Sequence, residues 1–158
     1  MRYFRVFIGI LFVAITSVGP AQADAIISGP VCIIDGNNLQ VGGKTKNKKC
    51  WGGINVRLHG SIAPNLDDVC NNSIGIAWNC GKAAKNALSK MIRMNAISCY
   101  HIDGEFANGT PVATCLSGHS DVSMELVKSG MAKAAHDQSK RYLLEEEDAK
   151  KRKRGLWK

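Results

Sequence analysis

All six cysteines of this chain, Cys32, Cys50, Cys70, Cys80, Cys99 and Cys115, lie downstream of an N-terminal segment that reads as an export signal. Arg2 and Arg5 give that segment a charged start, Val6 to Val18 is a nearly unbroken apolar run, and Ala21-Gln22-Ala23 supplies a small-x-small cleavage site. The expectation is a cleavable signal over residues 1–23 and one domain over residues 24–158, delivered to the periplasm or secreted, where thiols oxidise. Three disulfides are expected. Each must join backbone segments a few ångströms apart, so few arrangements of the chain satisfy all three. No Cys-x-x-Cys or clustered Cys/His spacing of the zinc type occurs, which argues against a metal knot. The connectivity of six cysteines is otherwise open.

From Ile26 to Cys115 the sequence alternates short β-rich runs with turn residues. Val31 to Ile34 runs into Asp35-Gly36-Asn37-Asn38, and Leu39 to Val41 runs into Gly42-Gly43, which predicts two hairpin-linked strands. Lys44 to Lys49 is polar and basic and predicts an exposed loop. Ile54 to Leu58 alternates as a third strand, and Ile97 to Ile102 and Val112 to Leu116 supply two more. If the last two pair across a turn near Ala107, Cys99 and Cys115 stand opposite one another, and that disulfide is expected on geometry.

Gly81 to Met94 places Ala84, Leu88, Met91 and Ile92 at helical spacing, with lysines turned elsewhere. Ser120 or Asp121 can cap a second helix that Gly130 stops. Ser139 can cap a third, running through Tyr142 and Ala149 to a C-terminal cap at Gly155.

The formal net charge is +8; removal of residues 1–23 takes away Arg2 and Arg5 and no acid, leaving +6. That balance favours polyanionic partners without choosing among nucleic acid, acidic polysaccharide and membrane surface. No stretch after the signal approaches the roughly 20 apolar residues of a spanning helix, so no transmembrane segment is expected there. In the basic run Lys150 to Arg154, the preceding acids Glu145 to Asp148 make a dipole-matched helix face the simpler reading than a binding patch.

Four groups of residues carry a resemblance. They are Val31-Cys32-Ile33-Ile34-Asp35-Gly36; Val56-Arg57-Leu58 with Gly60 and Ala63-Pro64; Trp78-Asn79-Cys80-Gly81 with Ala83-Ala84; and Gly130-Met131-Ala132 followed by Tyr142, Ala149 and Gly155-Leu156-Trp157. In this order the chain resembles the staphylococcal nuclease, or thermonuclease, family. The resemblance implies an α+β fold, a five-stranded OB-type β-barrel with about three helices. It also implies a catalytic plan in which a calcium ion held by carboxylates polarises a phosphodiester. A glutamate helps activate water, and two arginines stabilise the charge that builds on phosphorus.

The chain departs from that plan at most of its positions. Where the family pattern has a metal-binding aspartate in the first hairpin, this sequence has Asn37. The loop Gly60-Ser61-Ile62-Ala63-Pro64-Asn65 puts Ile62 at the second metal aspartate and Asn65 at the glutamate. Thr110 stands where the second arginine belongs, and Arg57 alone remains from the catalytic group. Isoleucine offers no oxygen to a hard cation, and asparagine is no general base near neutral pH. The calcium site is therefore expected to be lost, with no cofactor in its place. Asp35, Asp67, Asp68 and His59 are the residues from which a rebuilt metal site would have to come.

Two classes of function follow. One is a non-catalytic binding or accessory protein for an acidic polysaccharide or a nucleic acid, with Arg57, Lys44 and Lys46 as candidate ligand-binding residues. Exported members of this family encoded with genes for rhizobial succinoglycan, an acidic exopolysaccharide, resemble this chain in length, signal and degenerate site. The other is a metal-dependent phosphodiesterase acting on nucleic acid through a rebuilt site. Arg57 can equally brace the barrel loop. Trp51 is the best candidate for an exposed stacking ring, with packing against the Cys50 disulfide as the favoured alternative.

Overall fold

The computed structural model describes residues 26–47, 49–92 and 96–158. The export-signal expectation for residues 1–23 and the expected helix end at Arg93 and Met94 fall outside them.

Strand β1 (Ile26–Ile33) turns at Asp35 into β2 (Asn38–Val41), with Cys32 opposite Gln40. The turn is tied by Asp35, whose Oδ1 accepts from the Asn37 and Asn38 backbone N–H groups at 2.7 and 2.8 Å. The expected loop at Lys44 to Lys49 is instead a small hairpin of β3 (Lys44–Lys46) and β4 (Lys49–Trp51), with Thr45 facing Cys50. Its paired backbone satisfies groups that an irregular loop would leave to water, and a polar composition alone does not reveal that. Strand β5 (Ile54–Leu58) pairs back along β2, followed by the short strands β6 (Ser61–Ile62), β7 (Cys70–Asn71) and β8 (Ala77–Trp78).

Helix α1 (Cys80–Met91) turns Ala84 and Leu88 inward, as its spacing predicts. Strands β9 (Ala96–Ala107) and β10 (Thr110–Ser117) form the longest hairpin, turning at Asn108 and Gly109, both with positive φ. Next come β11 (Ser120–Asp121), α2 (Val122–Lys128), β12 (Lys133–Ala134) and α3 (Leu143–Lys151), and a 3-10 turn covers Gly155–Trp157.

Five of these strands close on themselves in the order β9, β1, β2, β5, β10 and back to β9. Every contact is antiparallel except β5 against β10, where Arg57 lies beside Val112. The result is the mixed five-stranded barrel with three helices that the resemblance implies. Its interior is filled by Leu39, Val41, Val56 and Leu58 from the barrel, Leu88 from α1 and Leu126 from α2, each at most 2% exposed. Truncating any of these leucines to alanine would cost about 2–5 kcal/mol.

The disulfides are Cys32–Cys50, Cys70–Cys80 and Cys99–Cys115. Cys99 and Cys115 are direct cross-strand partners with Cα atoms 4.0 Å apart, the pair expected from strand register. Three bridges place the chain among proteins of oxidising compartments. Among the described residues, no helix is long and apolar enough to cross a membrane.

Asp121 caps α2, its Oδ1 accepting from the N–H groups of Ser123 and Met124. Two expectations for the third helix need correction. Ser139 accepts from the Arg141 N–H and so caps a preceding turn, while the helix starts only at Leu143. Gly155 lies beyond the helix end at Lys151 and opens the 3-10 turn, from which the Leu156 N–H reaches the Gly130 carbonyl. The basic run is paired within its own segment: Lys150 with Glu146 and Arg152 with Asp148, both at 2.7 Å, and Arg154 with Asp148 at 2.9 Å.

Candidate functional site

The turn after β1, the strand β5 and the loop after β6 meet at one cleft of about 420 Å³. Asn37, Arg57, Ile62, Ala63, Pro64 and Asn65 line it, joined by Asp68, Cys70, Lys133 and Leu156. The fold therefore brings together four of the five positions at which the family's catalytic groups were sought. Thr110 is the exception. It opens β10 two residues before Val112, the neighbour of Arg57, and does not line the cleft. Lys44 and Lys46 also lie outside the lining, on the β3–β4 hairpin.

Asn37 is 4% exposed, and both ends of its amide are hydrogen-bonded. Nδ2 donates to the Ala63 carbonyl at 2.8 Å, and Oδ1 accepts from the Ala63 N–H at 2.6 Å. This two-way clasp needs a donor and an acceptor on one side chain. An ionised aspartate has only acceptors and would set an oxygen against the Ala63 carbonyl. Asn37 thus locks the first turn to the cleft loop. Gly36 tightens the same junction, since a Cβ there would lie 2.6 Å from the Ala63 Cβ and 2.9 Å from the Ala84 Cβ.

The far side of the loop is fixed as firmly. The Asn65 backbone N–H and side-chain Nδ2 both donate to Asp68 Oδ2, at 2.7 and 3.2 Å, and the Asp68 N–H returns to the Asn65 carbonyl. Gly81, at the start of α1, lies against the Asn65 carbonyl so closely that no side chain fits there. The Cys70–Cys80 bridge fastens the same corner to the helix.

Arg57 is half-buried in the cleft, and its guanidinium makes no hydrogen bond or ion pair among the described residues. A second cation, Lys133, is delivered by β12, whose pairing sets it opposite Ile62. Its ammonium lies 5.7 Å from the centre of the Trp157 ring.

Glu146, 3% exposed, holds β12 in place. Its Oε1 accepts from the Ala134 N–H at 3.0 Å, and its Oε2 accepts from Lys150 at 2.7 Å and bonds His136 at 3.0 Å. Burial alone would raise the Glu146 pKa, but the hydrogen bonds from Lys150, His136 and Ala134 outweigh it and hold the carboxyl below the usual range. Beneath Gly60, at the start of the cleft loop, Tyr142 donates to Asp121 Oδ2 at 2.7 Å. Burial and that carboxylate push its phenol well above the usual tyrosine range.

Against this geometry the calcium plan does not fit. Calcium takes roughly six to eight oxygen ligands. Here Ile62 supplies none, the Asn37 oxygen already accepts from Ala63, and among the described residues Asp68 is the one carboxylate lining the cleft. The residues for a rebuilt site do not converge. Asp35 ties its own turn, Asp67 is exposed outside the lining, and His59 is buried with its Nε2 3.8 Å from Glu105. Among the described residues, no group of three or more His, Cys, Asp or Glu side chains is placed to hold a metal. What remains is a cleft with two cations and one carboxylate that is already hydrogen-bonded.

Sequence reasoning found Arg57 and the altered positions but not Lys133. Its signal was indirect: it directly follows Gly130-Met131-Ala132, one of the groups that carried the resemblance.

The chain matches the model of the staphylococcal nuclease homologue family over residues 55–158. It is also 26% identical to the succinoglycan biosynthesis protein ExoI of Rhizobium meliloti (strain 1021), over 152 residues that cover 95% of this chain and 74% of that protein. The matched span and the closed barrel together show that the chain belongs to the staphylococcal nuclease homologue family.

Proposed function

We propose that this protein is an exported, non-catalytic member of its family that binds an anionic ligand in the Arg57–Lys133 cleft and serves exopolysaccharide production. The observation that carries the reading is the clasp of Asn37 on Ala63, which makes a strut of the position where a metal carboxylate would be needed. Phosphodiester cleavage on this plan needs charge neutralisation by metal and cationic donors together, and loss of one such donor alone costs about two to three orders of magnitude in rate. Arg57, lining the cleft and unpaired among the described residues, keeps the capacity to bind a carboxylate or phosphate without the chemistry. The similarity to a protein named for succinoglycan biosynthesis supports the exopolysaccharide setting. The disulfides and the signal sequence support a periplasmic or secreted location.

Deleting the gene in its native host tests this. The expected result is a changed amount or chain length of secreted acidic polysaccharide with extracellular nuclease activity unaltered. Unchanged polysaccharide with lost nuclease activity would overturn it.

A further inference from the structure

The β3–β4 hairpin shows four exposed side chains on one face. Lys44 stands directly opposite Trp51, and Lys46 directly opposite Lys49. Residues two apart on a strand share a face, so these four form one patch, with Thr45 and Cys50 on the reverse. The reverse is fastened to the barrel: Cys50 is bridged to the buried Cys32, whose sulfur also lies 3.2 Å from Thr45 Oγ1. An arm of two three-residue strands would hold its shape poorly alone, and the bridge fixes it before any ligand arrives.

The patch is open in both chemistry and space. Trp51 is 63% exposed, so it does not pack away against its neighbouring disulfide as the sequence favoured. The other two indoles are occupied: a lysine ammonium lies 4.4 Å from the centre of Trp78, and another 4.6 Å from Trp157. Lys44, Lys46 and Lys49 have no ion pair among the described residues, and the sequence from Gly36 to Leu66 contains no Asp or Glu. Lys150 and Arg152 at the end of α3, by contrast, meet the acids of that helix.

We infer that this hairpin is a docking site for an acidic polysaccharide, with Trp51 stacking on the C–H face of one sugar ring and the lysines pairing with carboxylates on the same chain. Single-stranded nucleic acid is the less favoured occupant. Its binding depends on successive stacking platforms, and this face holds one ring. Loops of OB-type barrels serve oligosaccharides as well as oligonucleotides, so the position suits the role. The inference rests on the polyanion reading above but assigns the glycan to a surface other than the cleft.

Oligogalacturonate is the probe, with dextran as the neutral control and oligo(dT) as the competitor, read by tryptophan fluorescence and by calorimetry on the mature disulfide-bonded protein. Oligogalacturonate should bind and dextran should not, with affinity falling as salt screens the lysines. Trp51→Ala should weaken binding about tenfold, the scale of losing one aromatic anchor from an interface. Lys44→Gln with Lys46→Gln should weaken it further, while Lys82→Gln with Lys90→Gln removes the same charge from α1 and should change it little. Equal binding by wild type and Trp51→Ala overturns the inference, as does tighter binding of oligo(dT) through the same residues. If Arg57→Ala abolishes binding and Trp51→Ala does not, the hairpin assignment fails and the cleft reading stands.

Discussion

Replacing Asn37 with aspartate restores the residue type that the family's metal site requires, and in this protein it should do harm. The Asn37 amide makes two buried hydrogen bonds to Ala63, at 2.6 and 2.8 Å. Aspartate keeps the acceptor but loses the donor, leaving the Ala63 carbonyl unpaired and facing a charge. An unsatisfied buried group costs about 1–3 kcal/mol, and desolvation of the carboxylate adds to it, so Asn37→Asp should lose about 2–4 kcal/mol near neutral pH. The loss should depend on pH with a definite sign. Burial beside a carbonyl raises the folded-state pKa of the new carboxyl above its unfolded value of about 3.9, and the protonated form can donate to Ala63. The deficit is therefore small below about pH 4 and opens as pH rises through the folded pKa. Urea unfolding followed by tryptophan fluorescence, with disulfides intact, reads both limbs. Unchanged midpoints at about pH 7.5, or a gain of stability with added calcium, would refute the strut reasoning.

Glu146→Gln removes the charge that gathers Lys150, His136 and the Ala134 N–H, and should cost about 2–3 kcal/mol near neutral pH in urea unfolding. Because the Glu146 pKa is depressed in the folded state, its contribution is present above the unfolded value of about 4.3 and fades as pH falls through the lower folded one. The variant should accordingly flatten the acid limb of a stability-against-pH curve, and an unaltered limb would contradict the assignment. Cys32→Ala with Cys50→Ala opens a loop between residues 18 apart in sequence and should destabilise the protein by about 3 kcal/mol on the chain-entropy model. A denaturation midpoint equal to wild type would show that the hairpin is held by other contacts.

The barrel was legible because its determinants are local and repeated. Alternation at Ile54 to Leu58 and the turn signals at Asp35-Gly36 and Gly42-Gly43 set strands and hairpins, and the opposition of Cys99 and Cys115 followed from register. The helix spacing of Ala84 and Leu88 was as clear. What escaped depends on partners distant in sequence. Nothing local says that Asn37 reaches Ala63, or that Glu146 fixes the strand carrying Lys133 into the cleft. The hairpin at Lys44 to Trp51 was hidden because charged residues at short strand spacing look like a loop, and its anchor is a cysteine 18 residues upstream of Cys50. Ser139 was misplaced as the third helix's cap because a hydroxyl that caps a turn and one that caps a helix look alike in sequence.

The proposal that the cleft carries no metal-dependent chemistry is tested most directly by single-turnover hydrolysis of single-stranded DNA and RNA by the purified mature protein, with calcium, with magnesium and with EDTA. The account predicts the same slow background in all three, unchanged by Arg57→Ala. Calcium-dependent cleavage that Arg57→Ala abolishes would contradict it.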